Sequence, residues 1–258
     1  MFNFRGFQRL GSLLTLALCI GAHAQTNSVN RLECVASVYP PHTFAKAGVI
    51  SGIGADMLVE AGRQVGLDVT IKILPFARIE NELKRGVAST VACAYAFSKT
   101  PEREAYMLFG NVPQSISKYV LFAKVAKGTG TYTGVASLKN SRIGVRFAFR
   151  VPGSIQQAAD RGELTLDSVN DDEFNFRKLG LGRVDYVLTN DDVGETMLRR
   201  LSLDDVQELR PAVTELPVYV VFNKSMPRAV AWRDAIDKGL LAVRAGRMEQ
   251  RIRAEYLR

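Results

Sequence analysis

Short apolar segments alternate with amphipathic segments in the first half of the chain. Residues 31–38, 68–75 and 89–96 are rich in branched apolar side chains and predict buried β-strands. Between them, residues 54–66 and 77–86 place apolar side chains on one helical face, and each run ends at a glycine. The resulting β-α-β-α-β-α order predicts a parallel sheet covered by helices on both faces.

A second set of the same kind follows an apolar segment at residues 118–124, and the chain ends in helices. The pattern predicts further strands at 141–149, 163–169, 184–189 and 216–222. It predicts further helices at 154–162, 172–182, 191–201, 229–246 and 248–257. The helix at 154–162 is expected to open with a capping box, from Ser154 to Gln157.

This order of elements predicts two α/β lobes joined by two crossing strands. We expect one lobe to combine residues 25–120 with 215–258, and the other to comprise residues 121–214. The extended segments near 118–124 and 216–222 would then carry the chain between the lobes.

The first 24 residues have the pattern of a secretory signal peptide. Two arginines precede an apolar run from Leu13 to Gly21, which is followed by the small-residue segment Ala-His-Ala. The run is shorter than the ~20 residues that a membrane-spanning helix needs. We therefore expect cleavage after Ala24 and export of the mature chain.

Composition removes several classes of function. The net charge falls from +8 to +6 without the two arginines of the signal peptide, and the remaining cations are dispersed among acids, so no nucleic-acid partner is expected. His42 is the only histidine left after cleavage, and the cysteines lack zinc spacing, so no metal site is indicated. There is no phosphate-binding glycine motif, so no nucleotide cofactor is indicated either. For Cys34 and Cys93, a disulfide and two buried thiols are both open.

The segment FSKTPERE, residues 97–104, predicts a helix start with Thr100 as the N-cap and Pro101 at the first helical position. Arg103 then lies in the first turn, where a cation is disfavoured by about 0.3–1 kcal/mol. At the carboxyl end of a strand, a guanidinium suits the binding of a carboxylate. We expect Arg103 to be kept free of protein partners for a ligand anion. The alternative is an ion pair with a neighbouring carboxylate at the surface.

Several segments together indicate a family. In order they are YPPHTF, GIGADMLVEAGRQVG, LPFARIENELKRG, SKTPERE, SLKNSRIGV, LGLGRVDYVLTND and YVVFNKS, from about Arg31 to Tyr256. The chain resembles the bacterial extracellular solute-binding proteins of family 3, the periplasmic receptors of ABC importers for polar amino acids. The resemblance implies the periplasmic-binding-protein type II fold, a periplasmic location, a monomer, and an ABC permease of the inner membrane as the partner.

The resemblance also implies roles for individual residues. The arginine of the TPER segment holds the ligand α-carboxylate in such receptors, which implies that role for Arg103, with Ser98 in support. Aromatic side chains wall the pocket, and the corresponding residues are Tyr39 and Phe76. Asn190 stands where members that bind amino acids usually carry an acid for the α-ammonium group.

The chain departs from the family pattern at two places. Phe149 lies where many members have a Gly-Ser/Thr turn, and it either narrows the pocket or belongs to the core of its lobe. Arg146 and Arg150 bring cations to the same rim, or are solvated. Asp191, next to Asn190, is a second candidate for an ammonium group. Residues 190–192 also suit capping of the helix that follows them.

The leading prediction is a receptor, not an enzyme, that binds a polar amino acid or a related small carboxylate between two lobes. An enzyme on the same fold, similar to cyclohexadienyl dehydratase, is one alternative. It would need a general acid, for which Asp191, Asp192 and Glu173 are the candidates. A sensor domain of a signalling system is another alternative, since it would use the same cleft.

Overall fold

The computed structural model describes residues 30–125 and 130–257. The predicted signal peptide and its cleavage site after Ala24 lie outside the described residues. Within these two ranges, no helix combines the length and the apolar character needed to cross a membrane.

The elements before residue 125 follow the predicted alternation, with three short strands added. In chain order they are β1 Arg31–Ala36, β2 Phe44–Lys46, β3 Val49–Ser51, α1 Ile53–Gln64, β4 Asp68–Ile73, α2 Phe76–Lys84, β5 Cys93–Ser98, α3 Pro101–Glu104, β6 Met107–Phe109 and β7 Ser115–Lys124.

After residue 130 the alternation continues, and two helices end the chain. The elements are β8 Arg142–Arg146, α4 Gly153–Asp160, β9 Thr165–Val169, α5 Asp172–Gly180, β10 Tyr186–Asn190, α6 Asp191–Leu201, β11 Val206–Asn223, α7 Ala229–Ala245 and α8 Met248–Tyr256.

The sheet has two parallel halves joined by a central antiparallel pair. Its order is β4-β1-β5-β11-β7-β10-β8-β9, and β6 also pairs with β11. Strand β1 is parallel to β4 and β5, and β8 is parallel to β9 and β10. Strands β7 and β11 pair antiparallel along most of their length and connect the halves. These are the two crossing strands that the sequence predicts. The lobe boundaries at residues 120 and 215 stay a prediction, because both strands run continuously through them.

Each half encloses apolar cores of its own, because the helices bury one face on the sheet. In the first lobe, Leu58 and Ala61 of α1 are fully buried. Helix α7 lies so close to α1 that a Cβ on Gly239 would stand 2.0 Å from the carbonyl oxygen of Ala61. In the second lobe, Ile143 and Phe176 belong to two separate buried clusters. Apolar packing therefore holds each lobe together independently of the other.

The two cysteines are joined by a disulfide bond. Cys34 of β1 and Cys93 of β5 lie in register on adjacent strands, with 4.4 Å between their Cα atoms. Both residues are fully buried. The sequence leaves open a disulfide or two buried thiols, and the structure has the disulfide. This bond links the adjacent strands β1 and β5 of the first lobe.

Three predictions about elements are wrong in detail. Strand β11 begins at Val206 rather than at 216, and its register shifts between Leu209 and Thr214. Strand β8 ends at Arg146 rather than at 149, because the chain turns at Ala148 with a φ of 62°. The capping box does not form. Helix α4 already begins at Gly153, and no side chain caps its first amides.

Candidate ligand-binding site

A cavity lies between the two lobes at the carboxyl ends of β1 and β5. Its volume is about 920 Å³, including the space at its open mouth. Ser37, Phe97 and Ser98 line it from the ends of these strands, and Phe149 and Asn190 line it from the second lobe. Carboxyl ends of parallel strands form the usual ligand crevice of open α/β sheets. The cavity is therefore the candidate binding site.

Arg103 lines this cavity. The expectation that it is kept free of protein partners is wrong. Its Nε donates to Glu80 Oε1 at 3.0 Å, and its Nη1 donates to the carbonyl oxygen and to Oγ of Ser98, at 3.1 and 3.0 Å. Its Nη2 donates to no atom of the described residues. The residue is 8% exposed. Glu80 and Ser98 thus fix the orientation of the guanidinium, and its role toward a ligand stays a prediction.

The local sequence explains the position of Arg103. Thr100 caps α3 as predicted, since its Oγ1 accepts a hydrogen bond from the Arg103 amide at 3.2 Å, and Pro101 begins the helix. Helix α3 has only four residues. A helix of one turn offers a small dipole, so the guanidinium itself, rather than the helix end, is the candidate hydrogen-bond donor to an anion.

The charge of Glu80 responds to this pairing. Although burial acts to raise it, hydrogen bonding and the positive charge of Arg103 bring the pKa of Glu80 below its ordinary value. Tyr106 donates a second hydrogen bond to the same carboxylate oxygen at 2.9 Å. Glu80 is therefore ionised at neutral pH and neutralises part of the charge of Arg103.

Aromatic rings form one continuous wall across the cleft. Phe76 stacks on Phe97 with 5.0 Å between centroids, and Phe149 of the second lobe lies 4.7 Å from Phe76. Tyr39 lies 5.0 Å from Phe149 on the other side. Of the two alternatives for Phe149, the structure has the one in which it narrows the cavity. Its role toward a ligand, like those of Tyr39 and Phe76, stays a prediction.

Asn190 is the last residue of β10, and both polar atoms of its side chain form hydrogen bonds within the protein. Its Oδ1 caps α6 by accepting a hydrogen bond from the Asp192 amide at 3.1 Å. The same oxygen accepts a hydrogen bond from Nε2 of His42, in the first lobe, at 3.2 Å. Its Nδ2 donates to Ser117 Oγ at 3.0 Å. The capping role and the place in the cavity wall therefore both hold. Whether Asn190 meets a ligand stays a prediction.

Asp191 is not among the residues that line the cavity, and its role toward an ammonium group stays a prediction. It is the first residue of α6, and its Oδ1 accepts a hydrogen bond from the amide of Asp192 at 2.9 Å. Its direction is thus set by the helix start, which sequence spacing does not reveal. The desolvation that accompanies its partial burial raises the pKa of Asp191.

Two further contacts at the mouth join the lobes. Nη2 of Arg253 in α8 donates to both carboxylate oxygens of Asp192 in α6, at 3.0 and 2.8 Å. His42 Nε2 lies 3.6 Å from the same carboxylate. Burial lowers the pKa of His42, although Asp192 and Asn190 act to raise it. The imidazole is therefore neutral where the lobes meet.

Arg146, at the end of β8, forms a second buried ion pair on the opposite side of the cleft. Its Nη1 donates to Asp172 Oδ2 at 3.3 Å, and its Nη2 crosses to the first lobe and donates to the carbonyl oxygen of Val38 at 2.6 Å. Its guanidinium also covers the rings of Tyr39 and Phe149, at 5.2 and 4.5 Å. Burial raises the pKa of Asp172, against the lowering influence of Arg146. The interpretation of Arg146 as a solvated rim cation is wrong.

Sequence reasoning missed Glu80, His42 and Gln114 in and around this site. Glu80 follows Phe76 by four residues on α2, so helical spacing alone places the two on one face and could have found it. Gln114 is buried and bridges the carbonyl oxygen of Gly54 and the amide of Ala96, at 2.9 and 3.2 Å. No pattern in the sequence marks Gln114, because its partners come from distant segments.

None of the three candidate general acids lines the cavity. Glu173 lies on the outer side of α5, where it pairs with Arg177 and Arg200 at 2.7 and 2.9 Å. Asp192 is held in the ion pair with Arg253. Over residues 30–125 and 130–257 there is also no group of side chains that could hold a metal ion.

Two α/β lobes around a cleft, joined by two crossing strands, define the periplasmic-binding-protein fold of type II. The family profile of the bacterial extracellular solute-binding proteins, family 3, matches residues 33–258, and the chain belongs to this family. The family that the sequence resembles is thereby confirmed. A search among curated proteins gives no match.

Solved structures share the fold at low sequence identity. An ancestral arginine-binding protein bound to arginine superposes with a TM-score of 0.73 at 17% identity, covering 89% of this chain and 99% of the other. A histidine kinase sensor domain gives 0.72 at 18% identity, covering 88% and 95%. An ancestral amino-acid-binding protein, a precursor of cyclohexadienyl dehydratase, gives 0.70 at 14% identity, covering 89% and 96%.

Proposed function

We propose that this protein is the periplasmic solute-binding receptor of an ABC importer. It binds a polar amino acid or a related small carboxylate between its lobes, and it acts as a monomer that delivers the ligand to a permease of the inner membrane. The family supports the receptor class. The signal-peptide pattern of the first 24 residues supports the periplasmic location.

One observation carries the proposal. Arg103 lines a cavity between two lobes, Glu80 and Ser98 fix its direction, and its Nη2 has no partner among the described residues. A guanidinium prepared in this way binds a carboxylate with little reorganisation. Lobe contacts such as Arg146 to Val38 close the cleft around the ligand. A ligand that prefers the closed state needs no chemistry to drive that closure.

Thermal unfolding against a panel of amino acids and organic acids tests this function. A bound compound raises stability by RT ln(1 + [L]/Kd), which is about 2.7 kcal/mol at a hundredfold excess over Kd. We expect at least one carboxylate to raise the midpoint. Stabilisation by no carboxylate of a broad panel contradicts the proposal.

A pair of arginine variants locates the binding. Arg103→Lys keeps the charge but loses the planar donors, so the ligand-induced shift should fall strongly. Arg63→Lys is the matched control, because Arg63 lies on α1, away from the cavity, and pairs with Glu60 at the surface. The readout is the ligand-induced shift, since Arg103→Lys also disturbs the bonds to Glu80 and Ser98 without any ligand. Equal shifts in the two variants contradict the role of Arg103.

A sensor domain is a second candidate, which the likeness to a histidine kinase sensor domain favours. Both functions use a closing cleft, so binding data do not separate them. Reconstitution with a candidate ABC permease separates them, because ligand-dependent ATP hydrolysis by the transporter supports import. Ligand-dependent phosphorylation of a candidate sensor kinase supports sensing.

Catalysis is a third candidate, because one structural relative is a precursor of cyclohexadienyl dehydratase. The positions of Glu173, Asp191 and Asp192 outside the cavity wall count against it. Incubation with prephenate and arogenate tests it directly. Turnover that disappears in Asp191→Asn or Asp192→Asn would replace the receptor proposal.

A further inference from the structure

The wall of the cavity has one sign of charge. Among its described lining residues, Arg103 and Arg150 are cationic, and none is an aspartate or a glutamate. Six aromatic residues contribute to it: Tyr39, Phe76, Tyr95, Phe97, Tyr119 and Phe149. Burial raises the pKa of the three tyrosines among them, so their hydroxyls are neutral at pH 7. The cavity wall thus offers positive charge to an anion and no carboxylate to a cation.

Three carboxylates stand behind this wall, and each is engaged by an arginine. The pairs are Glu80 with Arg103, Asp172 with Arg146, and Asp192 with Arg253, at distances of 3.0, 3.3 and 2.8 Å. A ligand ammonium group would have to compete with a guanidinium for any of them. Separation of the two more buried pairs, Glu80 with Arg103 and Asp172 with Arg146, is costly, because it leaves a largely buried charge alone.

Several neutral polar side chains of the wall are already hydrogen-bonded within the protein, whereas Ser37 and Ser115 offer only neutral hydroxyls. Thr43 Oγ1 bonds Tyr95 Oη at 2.7 Å, and Asn190 Nδ2 donates to Ser117 Oγ at 3.0 Å. The side-chain amide of Gln114 forms hydrogen bonds with two backbone groups. A site that binds a second polar or charged group would be expected to keep acceptors open for it.

We propose that the cleft selects carboxylates that have an aromatic or otherwise apolar body and no ammonium group. This inference rests on the proposed function, because it concerns the same cavity. The carboxylate binds Nη2 of Arg103, and the apolar body lies among the rings of Phe76, Phe97 and Phe149. An α-ammonium group would be taken from water without an ionic partner, which binding cannot offset. Of the two ligand classes in the proposed function, the inference therefore retains the small carboxylate and excludes the polar amino acid.

Isothermal titration with four matched compounds tests the selectivity. The pair 3-phenylpropanoate and L-phenylalanine differs by one ammonium group, and the pair glutarate and L-glutamate repeats the difference on a polar body. We expect 3-phenylpropanoate to bind tightest. L-phenylalanine should bind roughly 10- to 100-fold more weakly, as expected when a charged hydrogen bond is missing. Glutarate should also be at least about tenfold weaker, because its second carboxylate enters an apolar wall.

The outcomes separate the inference from the function beneath it. L-phenylalanine binding as tightly as 3-phenylpropanoate overturns the inference and leaves the receptor function standing. Glutarate or L-glutamate binding more tightly than 3-phenylpropanoate does the same. Failure of every carboxylate, in these titrations and in the broad melting panel, overturns the receptor function together with the inference.

Two neighbouring variants sharpen the test. Asn190→Asp places a carboxylate in the wall and keeps a good N-cap for α6, so the preference should move toward L-phenylalanine by roughly tenfold. Asp191→Asn is the matched control, because it changes the charge of the adjacent residue outside the wall. Its preference should equal that of the unaltered protein. An equal change in both variants, or none in Asn190→Asp, contradicts the inference.

Discussion

Each wall of the cleft contains an arginine paired with a carboxylate, but the two pairs differ in burial and in the pKa of the carboxylate. In the first lobe, Arg103 pairs with Glu80, whose side chain is 18% exposed. In the second lobe, Arg146 pairs with Asp172, whose side chain is 3% exposed. The pKa of Glu80 is lowered by its arginine, whereas burial raises the pKa of Asp172 despite its arginine.

The remaining donors of the two arginines also differ. Arg103 turns Nη1 to Ser98 of its own lobe and keeps Nη2 unpaired among the described residues. Arg146 sends Nη2 across the cleft to the carbonyl oxygen of Val38. We infer that one arginine is prepared for a ligand and the other holds the lobes together. The comparison teaches that an arginine at a strand end does not by itself indicate a ligand site.

The largest expected effect comes from breaking the more buried pair. Arg146→Met leaves the carboxylate of Asp172 buried and alone, which should lower the free energy of unfolding by about 3 kcal/mol. Arg103→Met is the matched variant and should cost less, because Glu80 keeps contact with water. Urea unfolding followed by circular dichroism measures both. Asp172→Asn added to Arg146→Met should restore part of the loss, and the reverse ranking of the two arginine variants contradicts the comparison.

The second effect is a pH dependence at the junction of the lobes. His42 faces Asp192 and Arg253 there, and its pKa is lowered in the folded state. As the pH falls below about 6.5, His42 takes up a proton in the unfolded chain but not in the folded protein. Lowering the pH therefore lowers the free energy of unfolding, by at most about 1.4 kcal/mol per pH unit.

The variant His42→Gln isolates this contribution. It removes the titrating group and keeps a hydrogen-bond donor for Asn190, so the difference in stability between pH 7.5 and pH 5.5 should shrink. Urea midpoints at the two pH values provide the measurement. An unchanged pH dependence would show that other groups cause it.

The third effect concerns the charge behind Arg103. Glu80→Gln keeps an acceptor for Arg103 Nε but removes a negative charge next to the expected carboxylate. Affinity for a bound carboxylate should therefore increase by about 1 kcal/mol. Asp172→Asn, the matched change in the opposite wall, should leave the affinity nearly unchanged. Titration with the tightest carboxylate of the panel decides, and weaker binding by Glu80→Gln would assign Glu80 a positioning role only.

The smallest effect is expected at the exposed edge of the cleft. Arg253→Gln removes the ion pair with Asp192, which is partly open to water, so the balance between closed and open lobes should shift by about 0.5–1 kcal/mol. Arg251→Gln, on the solvent side of the same helix, is the control. Small-angle scattering without ligand should show a larger radius of gyration for Arg253→Gln alone. Equal radii would remove Arg253 from the closing contacts.

Much of the architecture was predictable because its causes are local. The branched apolar run at Arg31–Ala36 and the amphipathic run at Ile53–Gln64 form the predicted elements, since each buries the face that its period creates. Strand β11 was predicted too short, because its first half, Val206–Leu209 onward, carries no strong alternation. It is a strand because β7 is there to pair with it.

The site was predictable to a lesser degree. Tyr39, Phe76, Ser98, Arg103, Phe149 and Asn190 all reach the cavity wall, whereas Asp191 does not. The pairing of Arg103 with Glu80 was within reach of helical spacing. The engagement of Arg146 with Asp172 was not, because their contact depends on how β8 and α5 pack together.

The sequence by itself determined the order of strands and helices, the cap at Thr100, and which residues stand at strand ends, because these follow from period and backbone preference along a few residues. Only the tertiary structure decided which charges form ion pairs and that Asn190 Oδ1 accepts hydrogen bonds from two protein groups. It also decided that Arg103 keeps one nitrogen without a partner among the described residues. Those properties depend on side chains far apart in the chain, such as His42 and Asn190. Burial then sets how strongly each pairing acts.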